Sequence, residues 1–193
     1  MDGRTARAER TRRAIVDALL ALAAEGDLKA SPEQIVERAG VSLRTLWTQF
    51  KDLENLYAAA SVRLIELQEA EHRPVDRSLP LTERVAAFCA QRGRMLEIVA
   101  PAARAAALRL PYSAQLRRNQ SVHNERLQHE IEAVFHGELP ARDPARRELV
   151  LALVINTGWP AWAMLRDDLG LEPADAIAIM RRTVAALVSK GQV

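Results

Sequence analysis

Six side chains between positions 44 and 51 carry groups that suit a nucleic acid: Arg44, Thr45, Trp47, Thr48, Gln49 and Lys51. Arginine can hold guanine O6 and N7 with two parallel bonds. Threonine and glutamine meet base edges or phosphate oxygens, and lysine is a point charge for phosphate. The spacing supplies the geometry. If this stretch is helical, Leu46 and Phe50 lie four apart and both point into a core, which leaves Arg44, Thr45, Trp47, Thr48 and Gln49 facing out. A short helix with that outer face has the donors and the reach to meet a DNA major groove. An ordinary helical hairpin with a solvated polar face carries the same pattern, because helix-turn-helix geometry recurs in many helical proteins.

Other chemistry finds no constellation. Glu69 and His72 make a single Glu-x-x-His, whereas a di-iron site needs a second one and further carboxylates. His123, His129 and His136 are six and seven apart and do not stack as a metal pair. Cys89 reads as a small core residue, and neither a glycine-rich phosphate loop nor a nucleophile elbow occurs. No enzyme activity, metal or cofactor is expected.

The elements that must position the outward face begin at Ser31. Ser31 can cap a helix, Pro32 fits its first turn, and Gln34 completes a capping box. Ile35, Val36 and Ala39 form its apolar face, and Gly40 ends it because glycine tolerates positive φ. Val41 plugs the corner and Ser42 caps the second helix. An earlier helix, over about 8–25, aligns Ile15, Leu19, Leu22 and Ala23 on one face. Local charge agrees with a polyanion partner. Residues 1–13 hold five arginines against Asp2 and Glu9, and residues 38–51 hold Arg38, Arg44 and Lys51 with no acid. Arg4 and Arg7 fit a solvated terminus, while Arg12 and Arg13 sit at the start of the first helix.

The stretch from Ile35 to Phe50, with the first-helix pattern Ile15 to Gly26, resembles the DNA-binding signature of the tetracycline-repressor (TetR) family. The resemblance runs from about Arg12 to Ala60; beyond it only length and helical layout agree. There are two departures. Trp47 stands where the family usually has tyrosine. Leu53 stands where a lysine commonly meets a DNA phosphate, a contact that Lys51 or the amino end of the fourth helix would have to replace. The expected DNA-contacting set is Arg12, Arg13, Ser31, Ser42, Leu43, Arg44, Thr45, Trp47, Thr48, Gln49 and Lys51. In it Arg44 and Thr48 face base edges, and Thr45 and Trp47 hold phosphates with Gln49 beside them.

The bulk numbers set the frame. The 193 residues are 49% apolar, 27% charged and only 4% aromatic, with a net charge of +2, a composition that favours helices and excludes nothing soluble. A single cysteine rules out an internal disulfide framework and fits a reducing cytosol. No signal-peptide pattern opens the chain, and the longest apolar runs look far short of a membrane span, so a cytoplasmic protein is expected.

The fold expected is all-α, with about nine helices. A three-helix head (1–52) is followed by a body (53–193), joined through a long fourth helix over about 53–73. Five further helices are predicted over about 81–99, a short stretch after Pro101, 113–136, from the Asp143-Pro144 cap to 168, and 174–190. From Leu149 to Ile155 the chain is apolar on every side of a helix, so its second face needs a cover, and a second copy of the chain is one. Leu149, Leu153, Ile177, Val184 and Leu187 are the expected interface of a homodimer, which would read two halves of a palindromic site.

The TetR resemblance implies a small-molecule pocket in the body and an effector that opposes DNA binding. Partial support comes from polar residues on apolar faces, Arg92, Gln120, His123 and Asn156, near Phe88, Leu96, Leu127, Trp159 and Trp162; such walls suit a lipophilic ligand with one polar handle. Each of these side chains also reads as ordinary core packing. A DNA-binding regulator without an effector, controlled by a protein partner or by dimerisation, stays open beside it.

Overall fold

Alanine, leucine and arginine, all good helix formers, crowd the first two dozen positions, and the computed structural model, which describes residues 3–190, carries α1 from Gly3 to Ala24. Met1, Asp2 and the last three residues of the expected body, 191–193, lie outside the described residues. The chain continues through α2 (Pro32–Ala39), α3 (Leu43–Gln49), α4 (Leu53–Glu71), α5 (Leu81–Ala107), α6 (Ala114–Val134), α7 (Ala145–Thr157), α8 (Trp159–Ala163), a π-helical turn (Met164–Asp168) and α9 (Pro173–Lys190). The described residues are all-α, as expected.

By packing, the chain divides into two compact units: Met1–Ala70 with Val99–Gln120, and Glu71–Ile98 with Ser121–Val193. Helices α5 and α6 each contribute residues to both. This division concerns contacts; the expected boundary at 52/53 concerns which segment reads DNA and which binds a ligand.

In the first unit Ile15, Val16 and Ala18 of α1, Ile35 and Val36 of α2, Leu46 and Phe50 at α3, and Leu56 and Ala60 of α4 form one buried cluster. Charge links brace its rim: Arg63 bonds Asp17 at 2.9 Å and Glu66 at 3.1 Å. The segment joining α5 to α6 is tied to the same unit. Glu54 accepts from the Ser113 hydroxyl and the Gln115 N–H, both at 2.9 Å, and Arg109 donates to the Leu28 carbonyl at 2.6 Å.

In the second unit the core joins Val85, Phe88, Cys89 and Leu96 of α5, Leu127 and Ile131 of α6, Leu153 of α7, Trp162 of α8, and Met180, Val184 and Val188 of α9. Phe88 meets Phe135 edge to face at 5.2 Å. Arg84 pairs with Glu138 inside this unit, with 12% and 9% of the two side chains exposed, and also donates to the Val134 carbonyl at 2.7 Å.

Three element boundaries differ from the sequence expectation. Helix α5 runs through Pro101 without breaking, so the predicted short helix is its continuation. Proline there removes one ladder bond, and residues on both sides keep the helical path. Asp143 does not cap α7: Pro144 occupies the cap position and no side chain bonds the first turn. The predicted helix to 168 breaks at Gly158, and α8 starts afresh with Pro160 in its first turn, where a missing N–H has no ladder partner to lose. A Cβ on Gly158 would lie 2.8 Å from the Val154 carbonyl oxygen, so glycine is required at this close approach.

The run Ala145–Asp168 is long and apolar enough to cross a membrane by length and composition, with mean hydropathy 1.3, contrary to the expectation that every run falls short. Its Val150, Leu153 and Trp162 are buried in the second core.

Candidate nucleic-acid interface

The interface is built on two caps. Ser31 is extended (φ −82, ψ 160), its hydroxyl accepts from the Gln34 N–H at 3.3 Å, and its own N–H donates to Gln34 Oε1 at 2.8 Å. Gln34 also donates to Asp27 Oδ2 at 2.8 Å, which ties the box to the preceding loop. Gly40 ends α2 with φ +66, the left-handed value that side chains resist. Its N–H and that of Val41 return to Glu37 and Val36 carbonyls, so the turn is closed within the chain. Ser42 then caps α3, accepting from the Thr45 N–H at 3.1 Å, with its hydroxyl 2.9 Å from that of Thr45. The turn is therefore fixed by contacts no more than five residues apart.

Leu46 and Phe50 are 0% and 1% exposed, so α3 is fastened by its inner face. Its outer face holds Leu43, Arg44, Trp47 and Thr48, with Ser42 before and Lys51 after it, all exposed. Thr45 and Gln49 are half-buried at its sides. The Thr48 hydroxyl donates to the Arg44 carbonyl at 2.7 Å, which spends its proton within the helix. Trp47, a large apolar ring, stands 43% exposed beside them. The basic patch is smaller than counted from sequence, because Arg38 is taken by Glu25 at 2.7 Å. Arg44 and Lys51 remain exposed.

Three residues of the expected set are engaged within the chain. Arg12 turns inward: its Nη1 donates to the Gln49 carbonyl at 2.7 Å, and its guanidinium lies 4.1 Å above the Phe50 ring. Arg13 bonds Glu66 of α4 at 3.0 Å. Ser31 spends its hydroxyl on the capping box. The Leu53 departure also gains a reason, since Leu53 packs against the first core. Of its two replacements, the amino end of α4 already holds the Asp52 carboxylate, which accepts from the Asn55 N–H at 2.8 Å. That bond, then the Asn55 side-chain amide, holds the Asp52 carboxyl below its usual range, so an anion is in place there. Lys51 is exposed.

The residues expected around a ligand are divided between a sealed core and more open positions. Phe88, Leu96, Leu127 and Trp162 are sealed in the second core, and the Trp162 indole N–H donates to Glu97 at 2.8 Å. Trp159 packs partly buried against the same core. Asn156 turns its amide back to the Ala152 carbonyl of its own helix at 2.8 Å. Gln120 is exposed and belongs to the first unit. Helical spacing places it on the Leu116–Leu127 face, but spacing does not say what covers that face. Arg92 and His123 are half-buried in the second unit. Arg92 Nε donates to the Thr157 carbonyl at 2.8 Å, at the break after α7. Burial pulls its guanidinium down to about 10, against the pull of Glu130. Burial, then the charges of Arg92 and Arg126, hold His123 below the ordinary histidine value.

An open groove of about 490 Å³ lies in the same unit, lined by Glu71, Gly93, Arg94, Glu97, Ile98, Pro173 and Ile177, of which Glu97 is the acceptor of the Trp162 indole. Only Ile177 of these was singled out in the sequence, and as an interface residue. Its walls come from segments some eighty positions apart, which no local pattern joins.

The predicted interface also divides. Leu153 and Val184 are 0% exposed and belong to the core, whereas Leu149, Ile177 and Leu187 are partly buried against it. The outward apolar side chains of α7 and α9 are Leu151, Ile155 and Ile179, at 40%, 69% and 45%. None of the five residues expected at the interface is among these exposed ones.

The fold is similar along nearly its whole length to several solved structures. A transcriptional regulator from Rhodococcus sp. Rha1 superposes with TM-score 0.70 at 19% identity, over 95% of this chain and 96% of that one. A protein assigned to the TetR family of transcriptional regulators, from Mesorhizobium loti MAFF303099, gives 0.68 at 16% identity, over 95% and 97%. A protein assigned as a transcriptional regulator, from Pseudomonas aeruginosa PAO1, gives 0.66 at 16%, over 94% and 91%. Neither a protein-family profile nor a characterised protein sequence matches the chain. At these identities the likeness is one of fold.

Proposed function

We propose that this chain is a DNA-binding transcriptional regulator of the TetR family, not an enzyme, that acts as a cytoplasmic homodimer on a palindromic operator, most simply as a repressor. One observation carries the reading: a doubly capped helix-turn-helix whose second helix is sealed below by Leu46 and Phe50 and exposes Ser42, Leu43, Arg44, Trp47, Thr48 and Lys51 above. Solved regulators with the same fold support it. Arg44 and Thr48 address base edges. Thr45, Trp47 and Lys51 hold phosphates, with Gln49 beside them.

One short helix reads few base pairs, so two copies on successive major grooves supply the affinity. Leu151, Ile155 and Ile179, the apolar side chains that α7 and α9 leave outside, are the face for a second copy. A small lipophilic effector bound in the body would tilt α4 and oppose DNA by a coupling of about 1–3 kcal/mol. The sealing of Phe88, Leu96, Leu127 and Trp162 in the core favours the second reading, in which a protein partner or dimerisation does this instead.

Selection from a random DNA pool tests the proposal. The expected product is a sequence with two-fold symmetry and half-sites about one helical turn apart; recovery of no preferred sequence refutes it. Sedimentation of Ile155→Asp tests the pairing, with a shift from dimer to monomer expected, and an unchanged mass moves the interface elsewhere.

A further inference from the structure

We propose that Arg12 is a positioning residue that clamps the carboxy-terminal end of α3 to α1, and so sets which way Arg44 and Thr48 point. The inference rests on the DNA-reading role of α3. Its basis is a pair of contacts made by one side chain. Nη1 of Arg12 donates to the Gln49 carbonyl at 2.7 Å, and the guanidinium carbon lies 4.1 Å from the centre of the Phe50 ring.

Both contacts fall where α3 needs them. A helix ends with carbonyls that have no partner within it, and α3 stops at Phe50 with φ −132 and ψ 122, without the left-handed cap that closes α2. Arg12 supplies the missing donor from 37 positions earlier, as a cation at the negative end of a helix. Phe50 is buried at 1%, so the plane on which the guanidinium stacks is immobile. The other end of α3 is held by the Ser42 cap. A seven-residue helix is too short to hold its own ends, so over the floor of Leu46 and Phe50 the clamp and the cap fix its two ends. Lysine replaces arginine poorly here, because its single ammonium can donate to a carbonyl or sit over a ring but cannot lie flat on Phe50 and reach the Gln49 carbonyl with one rigid fork.

A phosphate contact by Arg12 and this clamp make opposite predictions. Duplexes carrying the selected sequence and a scrambled one are titrated with the full chain, Arg12→Ala and Arg12→Lys, across a range of salt. For the clamp, both variants lose the preference for the selected duplex, by about tenfold given one bond and one cation–π contact. Both keep the wild-type salt slope on either duplex.

If Arg12→Lys behaves as wild type while Arg12→Ala flattens the slope by about one on both duplexes, the residue is a phosphate contact and the proposal is overturned. Unchanged discrimination in both variants also overturns it. Hydrogen exchange of the Leu46–Phe50 amides supplies a readout that needs no DNA. Faster exchange in both variants supports the clamp, and unchanged exchange sinks it. If the wild-type chain selects no sequence, the DNA-reading role fails while this exchange result still decides the clamp. Should Arg12→Ala not fold, Arg12→Gln takes its place.

Discussion

In α3 the polar side chains stand outside a sealed apolar floor, whereas in the second unit they are drawn inside and bonded there. Gln91, 2% exposed, accepts from the Arg73 N–H at 2.7 Å and donates to Glu130 at 3.1 Å. The Thr157 carbonyl takes Arg92, and Glu138 takes Arg84 at 2.9 Å. The difference is one of availability. A partner can meet Arg44, Thr48 and Lys51 with no rearrangement of the head. A ligand entering the second core must first break bonds that are already made, each with the full desolvation penalty of the group it strands. A surface of the first kind suits fast, reversible docking, and an interior of the second kind suits two discrete packings.

Mutations can break that comparison. The largest effect is expected inside the second unit. Arg84→Ala leaves the Glu138 carboxylate buried without its cation, and removal of one partner of such a pair costs about 3–5 kcal/mol. A loss below about 1 kcal/mol in denaturant unfolding would show that water already reaches the pair, and that this interior is less closed than described.

Leu46→Ala should come next, at about 2–5 kcal/mol for a buried leucine, with loss of DNA binding before global unfolding. Intact binding in that variant would mean that α3 is not held by its floor.

On the outer face the effects are smaller and concern selectivity, not stability. Arg44→Ala should lose about 1–3 kcal/mol on the selected duplex and little on random DNA. Lys51→Ala should weaken both alike and lower the salt slope by about one. Equal behaviour of the two variants in a salt titration would remove the distinction between base and phosphate contacts.

The smallest effect is in acid. His123 holds its proton less readily in the folded chain than in the unfolded one. Its contribution to stability is therefore present above the ordinary histidine value of about 6.5 and is lost as pH falls through the lower folded value. His123→Gln should flatten the decline of the melting temperature below pH 6.5, and an unchanged slope would show that another group carries the acid sensitivity.

What was readable in advance follows the same divide. The Ser31–Gln34 box, the Gly40 stop, the Ser42 cap and the inward pair Leu46 and Phe50 all act within four or five residues, and each stands where spacing put it. The body was harder. Period marked apolar faces on α7 and α9, but Leu153 and Val184 went inside while Leu151, Ile155 and Ile179 stayed outside. On a helix apolar all round, only the neighbour decides which side is the core. Pro101 and Gly158 show the same limit from the other direction, since a proline that signals a stop lies inside a continuous helix and a glycine without a strong signal made the break.

By itself, then, the order of residues determined the helices of the head, the capped turn and the exposure of Arg44, Trp47 and Thr48 on α3, because caps and periodicity are short-range and are decided within one or two turns. Only the tertiary structure decided that Arg12 turns in to the Gln49 carbonyl, that Arg13 pairs with Glu66 at the surface, that Arg38 is spent on Glu25, and that Trp162 is core. A long cationic side chain reaches any anion, carbonyl or ring within several ångströms, and which of these comes near depends on how segments far apart in the chain are brought together.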